Sequence, residues 1–325
     1  MPTLFEADLR HAAYYEGVLH RANEHYLQGG EALVEALREF DADLVNIQVG
    51  QKWAAEHTKN NAKASKLCSD YCYNADSLIY LRLSPHTLIG WREAALTASQ
   101  EAHDRYAEAA HLHSLGMACL DLGEIDRMIS LLERSLTIDR ETGHREYEAA
   151  NLGGLGLAYA ELGKHREAIE FYEQALQLYR DIGARWGEGI YLSNLGTSYT
   201  AIGQAKKAIE IHQQAIAINR EVRDGRSEGY ALGNLAEAHA ALGEYDPALT
   251  LFQENLIIAR ELFDRQSEAY ALAGISRVLW AAGQRTEGIS NASAALKILE
   301  EIGDSRRIRV QEQLAQWHDE QARSA

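Results

Sequence analysis

The chain has 325 residues and a formal net charge of −16, from 48 acidic and 32 basic side chains. An acidic surface repels phosphate backbones, so the charge argues against a nucleic-acid partner and favours a basic or neutral partner. The alternative is that the charge serves only to keep the protein in solution. Only three prolines occur, which favours long helices over a strand-rich fold.

The N-terminal sequence indicates neither export nor membrane insertion. It contains no basic segment followed by an apolar run, so we expect no signal peptide. No apolar stretch of about 18 residues occurs, so we expect no membrane-spanning helix and no membrane partner. These features predict a cytoplasmic protein.

The cysteines Cys68, Cys72 and Cys119 are too few, and odd in number, for a disulfide framework, which agrees with a reducing compartment. Cys68 and Cys72 would share one helix face, where His57 or His86 could join them around a metal ion. A zinc site needs about four ligands, and no second pair of cysteines exists. We therefore expect buried thiols and no metal site.

Residues 1–63 have a helical pattern that does not match the rest of the chain, and we assign them to a divergent N-terminal helical region. Breaks are predicted at Gly29-Gly30 and at Asn60-Asn61. The predicted helices are Leu4–Gln28, Glu31–Phe40 and Asp41–His57.

Residues 64–103 are predicted to form a degenerate copy of the repeat that follows them. Ala95 lies 80 residues before Ala175, so the second helix of this copy is in phase with the later ones. Ser84 is suited to cap that helix and Pro85 to occupy its first position.

A 40-residue period runs through residues 104–303 and divides them into five repeats. It is carried by a column of glycines, a column of leucines and a column of small residues. The members are Gly123, Gly163, Gly203, Gly243 and Gly283; Leu112, Leu152, Leu192, Leu232 and Leu272; and Gly116, Gly156, Gly196, Ala236 and Ser276.

Each repeat is predicted to be a helical hairpin whose glycine ends the first helix. In the fourth repeat Asp246 and Pro247 fit the start of the second helix, as N-cap and first residue. Glycine also recurs where one repeat meets the next, but Arg223 and Phe263 replace it twice, and we expect tighter turns or longer helices there. Hairpins that are apolar on both sides must stack, so the sequence predicts an all-α, right-handed superhelical solenoid.

The stretches 151–183 and 234–256 resemble tetratricopeptide repeats, through the small, aromatic and alanine positions at Gly156, Tyr159, Ala168, Tyr172 and Ala175. The usual repeat of that family has about 34 residues. The longer repeat here is similar to those of kinesin light chains and of the sensor arms of bacterial STAND-type NTPases. The resemblance implies a protein-binding fold and does not identify the ligand.

Two segments outside the repeats complete the predicted organisation. The stretches RHAAYYEGVLHRANEHYLQGG and FDADLVNIQVGQKWA resemble the helical segment that precedes the repeats in STAND-type ATPases. Residues 304–325 carry Arg306, Arg307 and Arg309 and then a polar helix, and they are predicted to cap the last hairpin.

The sequence contains no recognisable catalytic motif. Gly163-Lys164-His165 is the nearest string to a phosphate-binding loop, but Ala158 stands in place of the first glycine and His165 in place of the hydroxyl residue. No HExxH motif or Gly-x-Ser-x-Gly elbow occurs. We therefore predict no catalytic residues, no cofactor and no enzymatic activity.

Charged residues also recur with the period. Glutamate occupies residues 108, 148, 188, 228 and 268, and arginine occupies residues 140, 180, 220 and 260, with others at 105, 145, 185 and 265. Their presence in every repeat favours inter-repeat ion pairs, and a ladder of arginines for a phosphopeptide is the alternative.

Family resemblance implies that the first helix of each repeat lines a concave groove. In similar grooves, an asparagine at the position of Asn194 and Asn234 hydrogen-bonds the backbone of an extended peptide, and a side-chain amide offers both donor and acceptor. Asparagines that bond only within the scaffold are the alternative. The other candidate binding residues are Tyr191, Thr197, Tyr230, Glu237, Tyr270, Arg277 and Trp280.

We therefore expect a non-catalytic module that binds a peptide or protein segment in this groove, and leave self-association open. The alternative is the ligand-sensing arm of a STAND-type signalling or defence ATPase whose NTPase domain is absent from this chain.

Overall fold

The computed structural model describes residues 3–28 and 30–324, and every regular element in them is helical. The chain divides into two compact halves, residues 1–162 and 163–325. The N-terminal half contains α1 (Leu4–Gln28), α2 (Gly30–Glu56), a 3₁₀ turn (Thr58–Asn60), α3 (Ala62–Tyr73), α4 (Asp76–Arg82), α5 (Pro85–Glu101), α6 (Arg105–Asp121), α7 (Ile125–Thr142) and α8 (Arg145–Glu161). The C-terminal half contains α9 (His165–Ile182), α10 (Arg185–Ala201), α11 (Ala205–Glu221), α12 (Gly225–Ala241), α13 (Tyr245–Glu261), α14 (Arg265–Ala281), α15 (Arg285–Glu301) and α16 (Arg307–Ser324).

Helices α1 and α2 pack along each other and against α3. The Tyr71 hydroxyl donates to the Ala12 carbonyl at 2.8 Å, and Gly50 leaves room for it, since a Cβ there would lie 2.2 Å from the hydroxyl oxygen. The predicted break between Phe40 and Asp41 is wrong. The Phe40 side chain is fully buried and neither residue disfavours helix strongly enough to end one, so α2 continues through both.

Residues 64–103, predicted to be a degenerate copy of the repeat, have the predicted internal turn. The Ser84 side chain accepts a hydrogen bond from the backbone nitrogen of Thr87, and Pro85 is the first residue of α5. Cys68 and Cys72 on α3 are buried, as is Cys119 on α6, and none of the three forms a disulfide. The prediction of buried thiols is confirmed.

From α6 to α15 a new helix begins every 20 residues, so the 40-residue repeat consists of two helices of almost equal length. A residue with left-handed backbone conformation lies in the turn after each helix. These residues recur every 20 positions, and most of them are glycines. Arg223 and Phe263 adopt the same conformation, with φ of 59° and 54°, and so does His103 at 54°. The expectation of tighter turns or longer helices at Arg223 and Phe263 is wrong, because the closing hydrogen bonds of the turn fix the backbone whichever residue is present.

The columns of the sequence form the core. The leucines of the first helices, from Leu112 to Leu272, are at most 6% exposed, and the small residues Ala168, Ala208 and Ala248 are fully buried. The prediction for the fourth repeat is wrong, since α13 begins at Tyr245 with Glu244 as its N-cap. Proline is tolerated at the third helical position because the first backbone nitrogens have no partner within a helix.

Helix α16 covers the last hairpin. Val310, Leu314 and Trp317 are buried in one cluster with residues of α14 and α15, among them Leu272 and Ile298. The other side of α16 is exposed. All-α stacking of hairpins is therefore confirmed within each half.

The recurring charged residues join consecutive repeats. The Arg140 Nε atom donates to Glu148 at 2.9 Å and the Arg220 Nε atom to Glu228 at 2.6 Å. The Arg260 Nε atom donates to Glu268 at 2.9 Å, whereas Arg265 contacts Glu268 and Glu301 within the fifth repeat and joins its two helices. The predicted inter-repeat ion pairs are confirmed, and their carboxylates already occupy the arginines that a phosphopeptide ladder would need.

Candidate functional site

Helices α10, α12 and α14 are the first helices of three consecutive repeats and pack in a row. We call the surface they form the first-helix face. Asn194 of α10 and Asn234 of α12 lie one repeat apart on it. The Asn194 side chain is half-buried and forms no hydrogen bond with any residue that the structure describes.

Asn234 has partners within the scaffold. Its amide nitrogen donates to the Ser193 hydroxyl at 3.2 Å. Its amide oxygen accepts from the Tyr270 hydroxyl at 3.4 Å. The two predicted asparagines therefore differ, since Asn194 is open and Asn234 connects α10, α12 and α14.

Glu237 of α12 and Arg277 of α14 lie one repeat apart and form an ion pair. Both side chains are about one-third exposed. Tyr270 lies beside them, and burial raises the pKa of its hydroxyl. Together with Asn234 these residues form a continuous polar strip on the first-helix face.

The other candidates lie in different surroundings. Tyr191 stacks on Tyr179 with 5.5 Å between ring centroids, and burial raises its pKa to about 12. Trp280 stacks on Trp317 at 4.5 Å, which holds the cap against α14. These contacts favour a packing role for both rings, whereas Tyr230 and Thr197 are exposed.

A pocket of about 370 Å³ opens where α14 meets α16. Three predicted residues line it, Glu237, Tyr270 and Arg277. Three more were missed by sequence reasoning, which treated their segment as a cap: Arg306, Arg309 and Gln313. The sequence feature that could have indicated this pocket is the group of arginines near residue 306 in a chain of net negative charge.

Arg306 is held in place by Asp304. Its Nε atom lies 2.9 Å from Asp304 Oδ1 and its Nη2 atom 2.5 Å from Oδ2. The hydrogen bonds from Arg306 lower the pKa of the Asp304 carboxyl to about 2. The guanidinium is therefore fixed at the edge of the pocket.

The N-terminal half has a separate aromatic surface that sequence reasoning also missed. The Tyr73 and Tyr106 hydroxyls lie 3.1 Å apart, and the Tyr106 hydroxyl donates to Tyr147 at 3.4 Å. Tyr73 and Tyr147 line a pocket of about 360 Å³ with His111 and His113. Burial lowers the pKa of His111 to about 4, and its Nε2 atom lies 2.7 Å from the Ser69 hydroxyl.

No group of side chains in the described part of the chain is arranged to hold a metal ion. Among the same residues, no helix is both long and apolar enough to cross a membrane.

Two segments of the chain, residues 107–181 and 187–261, match the protein family described as tetratricopeptide repeat. They are tetratricopeptide repeats. The match falls within the five predicted repeats and confirms the family resemblance over these residues. A comparison with curated proteins gave no match.

Solved structures with similar folds cover most of the chain. The apo form of RapI has a TM-score of 0.64 at 12% identity, over 88% of this chain and 100% of that one. NprR in complex with its cognate peptide NprX has a TM-score of 0.58 at 15% identity, over 89% and 83%. The chain is also similar to the TPR-like repeats of a putative kinesin light chain from Podosopora anserina, with a TM-score of 0.48 at 23% identity over 60% and 95%. At these identities the likeness to RapI and NprR concerns the fold alone.

Proposed function

We propose that the first-helix face of the C-terminal half binds an extended peptide or an unfolded protein segment, without catalysing a reaction. The observation that carries this proposal is the open amide of Asn194, in register with Asn234 and the polar strip. Tetratricopeptide repeats present their first helices side by side, so a chain lying across them meets equivalent positions at each repeat.

The Asn194 amide is suited to a peptide backbone. One side-chain amide can donate to a carbonyl and accept from an N–H at the same time. Its half-buried position reduces competition from water, and no described residue occupies either group.

Asn234 can join the same contact by exchanging partners. Its bonds to Ser193 and Tyr270, at 3.2 and 3.4 Å, are longer than the common length for protein hydrogen bonds. Replacing these two hydrogen bonds with bonds to a peptide therefore costs little free energy. The released Tyr270 hydroxyl would then face the ligand.

The fold likeness to NprR, whose structure contains its cognate peptide, supports a peptide ligand here as well. The identity of 15% transfers no binding residue, so the choice of Asn194 and its neighbours depends on this chain alone.

The test uses an array of random ten-residue synthetic peptides probed with the labelled protein. We expect Asn194→Ala to weaken the binding of retained peptides about 5-fold, since one amide-to-backbone bond contributes about 1 kcal/mol. Asn291→Ala is the matched control, because Asn291 is half-buried like Asn194 but lies on α15, where its amide bonds to the Glu287 carbonyl of its own helix and to no other described residue.

Circular dichroism and thermal unfolding should show that both variants fold like the parent. Retention of no peptide by the parent chain, or equal retention by the parent and Asn194→Ala, would refute the proposal.

A further inference from the structure

The turns that join consecutive repeats of the C-terminal half lie in a row. Arg185 contacts Glu221 at 2.8 Å across the first two turns, and Arg265 contacts Glu301 at 2.6 Å across the last two. A third ion pair joins the middle two. We call this row the turn edge, and its four turns are centred on Gly183, Arg223, Phe263 and Gly303.

Apolar side chains are concentrated on the turn edge. Nine large apolar or aromatic side chains are exposed in the described part of residues 163–325. Five of them lie within three residues of a turn centre, namely Ile182, Trp186, Leu262, Phe263 and Ile302. The Phe263 ring is 88% exposed on a left-handed backbone. That conformation is unfavourable for a bulky residue, and the exposed ring gains nothing from the fold in return, which indicates a contact outside the chain.

The turn edge carries no net charge. Eight basic and eight acidic residues lie within three positions of the four turn centres, in a chain whose net charge is −16. Two copies of an acidic protein repel each other over most of their surface. That repulsion is absent at the turn edge, so this apolar and neutral edge suits a second copy of itself better than a basic protein or an anionic membrane.

The turn edge is also self-complementary. A two-fold axis midway between Arg223 and Phe263 reverses the order of the equally spaced turns, so each turn meets a turn of the second copy. Arg223 then faces Phe263 of the second copy, where a guanidinium group can lie over the aromatic ring. Glu261 lies at the same turn as Phe263. The side chains of Arg223 and Glu261 form no hydrogen bond or ion pair with any residue that the structure describes.

We propose that the turn edge pairs with the turn edge of a second copy to form an antiparallel dimer. Arg223 of each copy contacts Glu261 and Phe263 of the other, and the symmetry supplies each contact twice. Towards the ends of the edge, Arg185 comes opposite Glu301 of the second copy, so opposite charges meet there as well.

Sedimentation velocity of the whole chain, at concentrations from about 1 to 300 µM, tests the proposal. We expect a reversible monomer–dimer equilibrium with a dissociation constant of about 10–100 µM, because an interface made of turns is small. A chain that stays monomeric over the whole range would overturn the proposal and leave the apolar edge to a different partner.

Leu262 and Leu242 provide a matched pair of variants. They are the C-cap residues of α13 and α12, with φ of −87° and −91°, and they are 49% and 39% exposed. Leu262 lies on the turn edge, whereas Leu242 lies in the turn within a repeat, at the opposite end of the helices. Leu262→Ser should raise the dissociation constant at least about 10-fold, since the dimer loses the apolar contact twice. Leu242→Ser should change it by less than about 2-fold, and equal effects of the two variants would overturn the proposal.

Charge reversal tests the register of the two copies. Arg223→Glu and Glu261→Arg should each weaken the dimer about 5-fold, and the double variant should restore the parent dissociation constant to within about 2-fold. No recovery in the double variant would overturn the antiparallel arrangement. Circular dichroism and thermal unfolding check that every variant folds like the parent.

The dimer and the proposed function can fail separately. None of the candidate binding residues lies within three positions of a turn centre, so Asn194→Ala should dimerise like the parent chain. An Asn194→Ala variant that no longer dimerises would place the interface on the first-helix face and overturn the proposal.

Discussion

Arg180 at the end of α9 donates from its Nε atom to Glu188 at the start of α10, across 2.7 Å. The Glu188 side chain is only 7% exposed, and Arg185 contacts its other oxygen. A carboxylate shared by two arginines thus fixes the turn between the second and third tetratricopeptide repeats.

Glu188→Gln should lower the free energy of unfolding by about 1–3 kcal/mol, because the buried charge that strengthens the hydrogen bonds from Arg180 and Arg185 is lost. Denaturant unfolding measures the change. Glu170→Gln on the exposed side of α9 is the control and should change stability by less than about 0.5 kcal/mol. A loss no larger than the control's would contradict a stabilising role for the shared carboxylate.

Phe263→Gly should raise the free energy of unfolding by about 0.5–1 kcal/mol. Phe263 has φ of 54° and is 88% exposed, so it bears the strain of a left-handed backbone without the benefit of burial. Glycine removes that strain, although its greater freedom in the unfolded chain offsets part of the gain.

The matched variant for this position is Phe263→Ala, which removes the ring and keeps the strain. Thermal and denaturant unfolding of both variants separate the two effects. Equal stability of the alanine and glycine variants would show that backbone strain is not the cause.

His212 predicts a pH dependence. Its side chain is fully buried, neither ring nitrogen has a hydrogen-bond partner in the described residues, and burial lowers its pKa to about 4. The unfolded chain takes up the proton near pH 6.5 and the folded chain only near pH 4, so stability falls as the pH falls through this window.

His212→Phe should remove this part of the pH dependence, worth up to about 2 kcal/mol between pH 7 and pH 5. Phe252 occupies the equivalent position one repeat later and is fully buried, so the ring fits the column. Denaturant unfolding at both pH values gives the difference, with His318→Phe on the exposed side of α16 as control. Parallel pH profiles for the parent and His212→Phe would contradict the assignment.

The repeat is predictable from the sequence because the buried positions recur with the same 40-residue period. Leu192 and Leu232 are one period apart and both lie in the core, so their column is visible without coordinates. The left-handed turns at Arg223 and Phe263 are not visible in the same way. Their conformation depends on hydrogen bonds that close the turn, which residue type alone does not reveal.

The candidate site is only partly predictable. Register places Asn194 and Asn234 at equivalent positions, but their different roles depend on Ser193 and Tyr270, which only one of the two amides contacts. The contribution of Arg309 to a pocket depends on how α16 packs on α14, and no periodic column specifies that packing.

The regular spacing of helix starts, every 20 residues from Arg105 to Arg285, limits how this protein can change in length. One residue inserted into α12 would turn the following residues of that helix by about 100° and move Asn234 away from Asn194. An insertion of one whole repeat at a turn such as Gly203 keeps every column in register. The length of ligand that the first-helix face can accommodate should therefore increase or decrease in steps of one repeat.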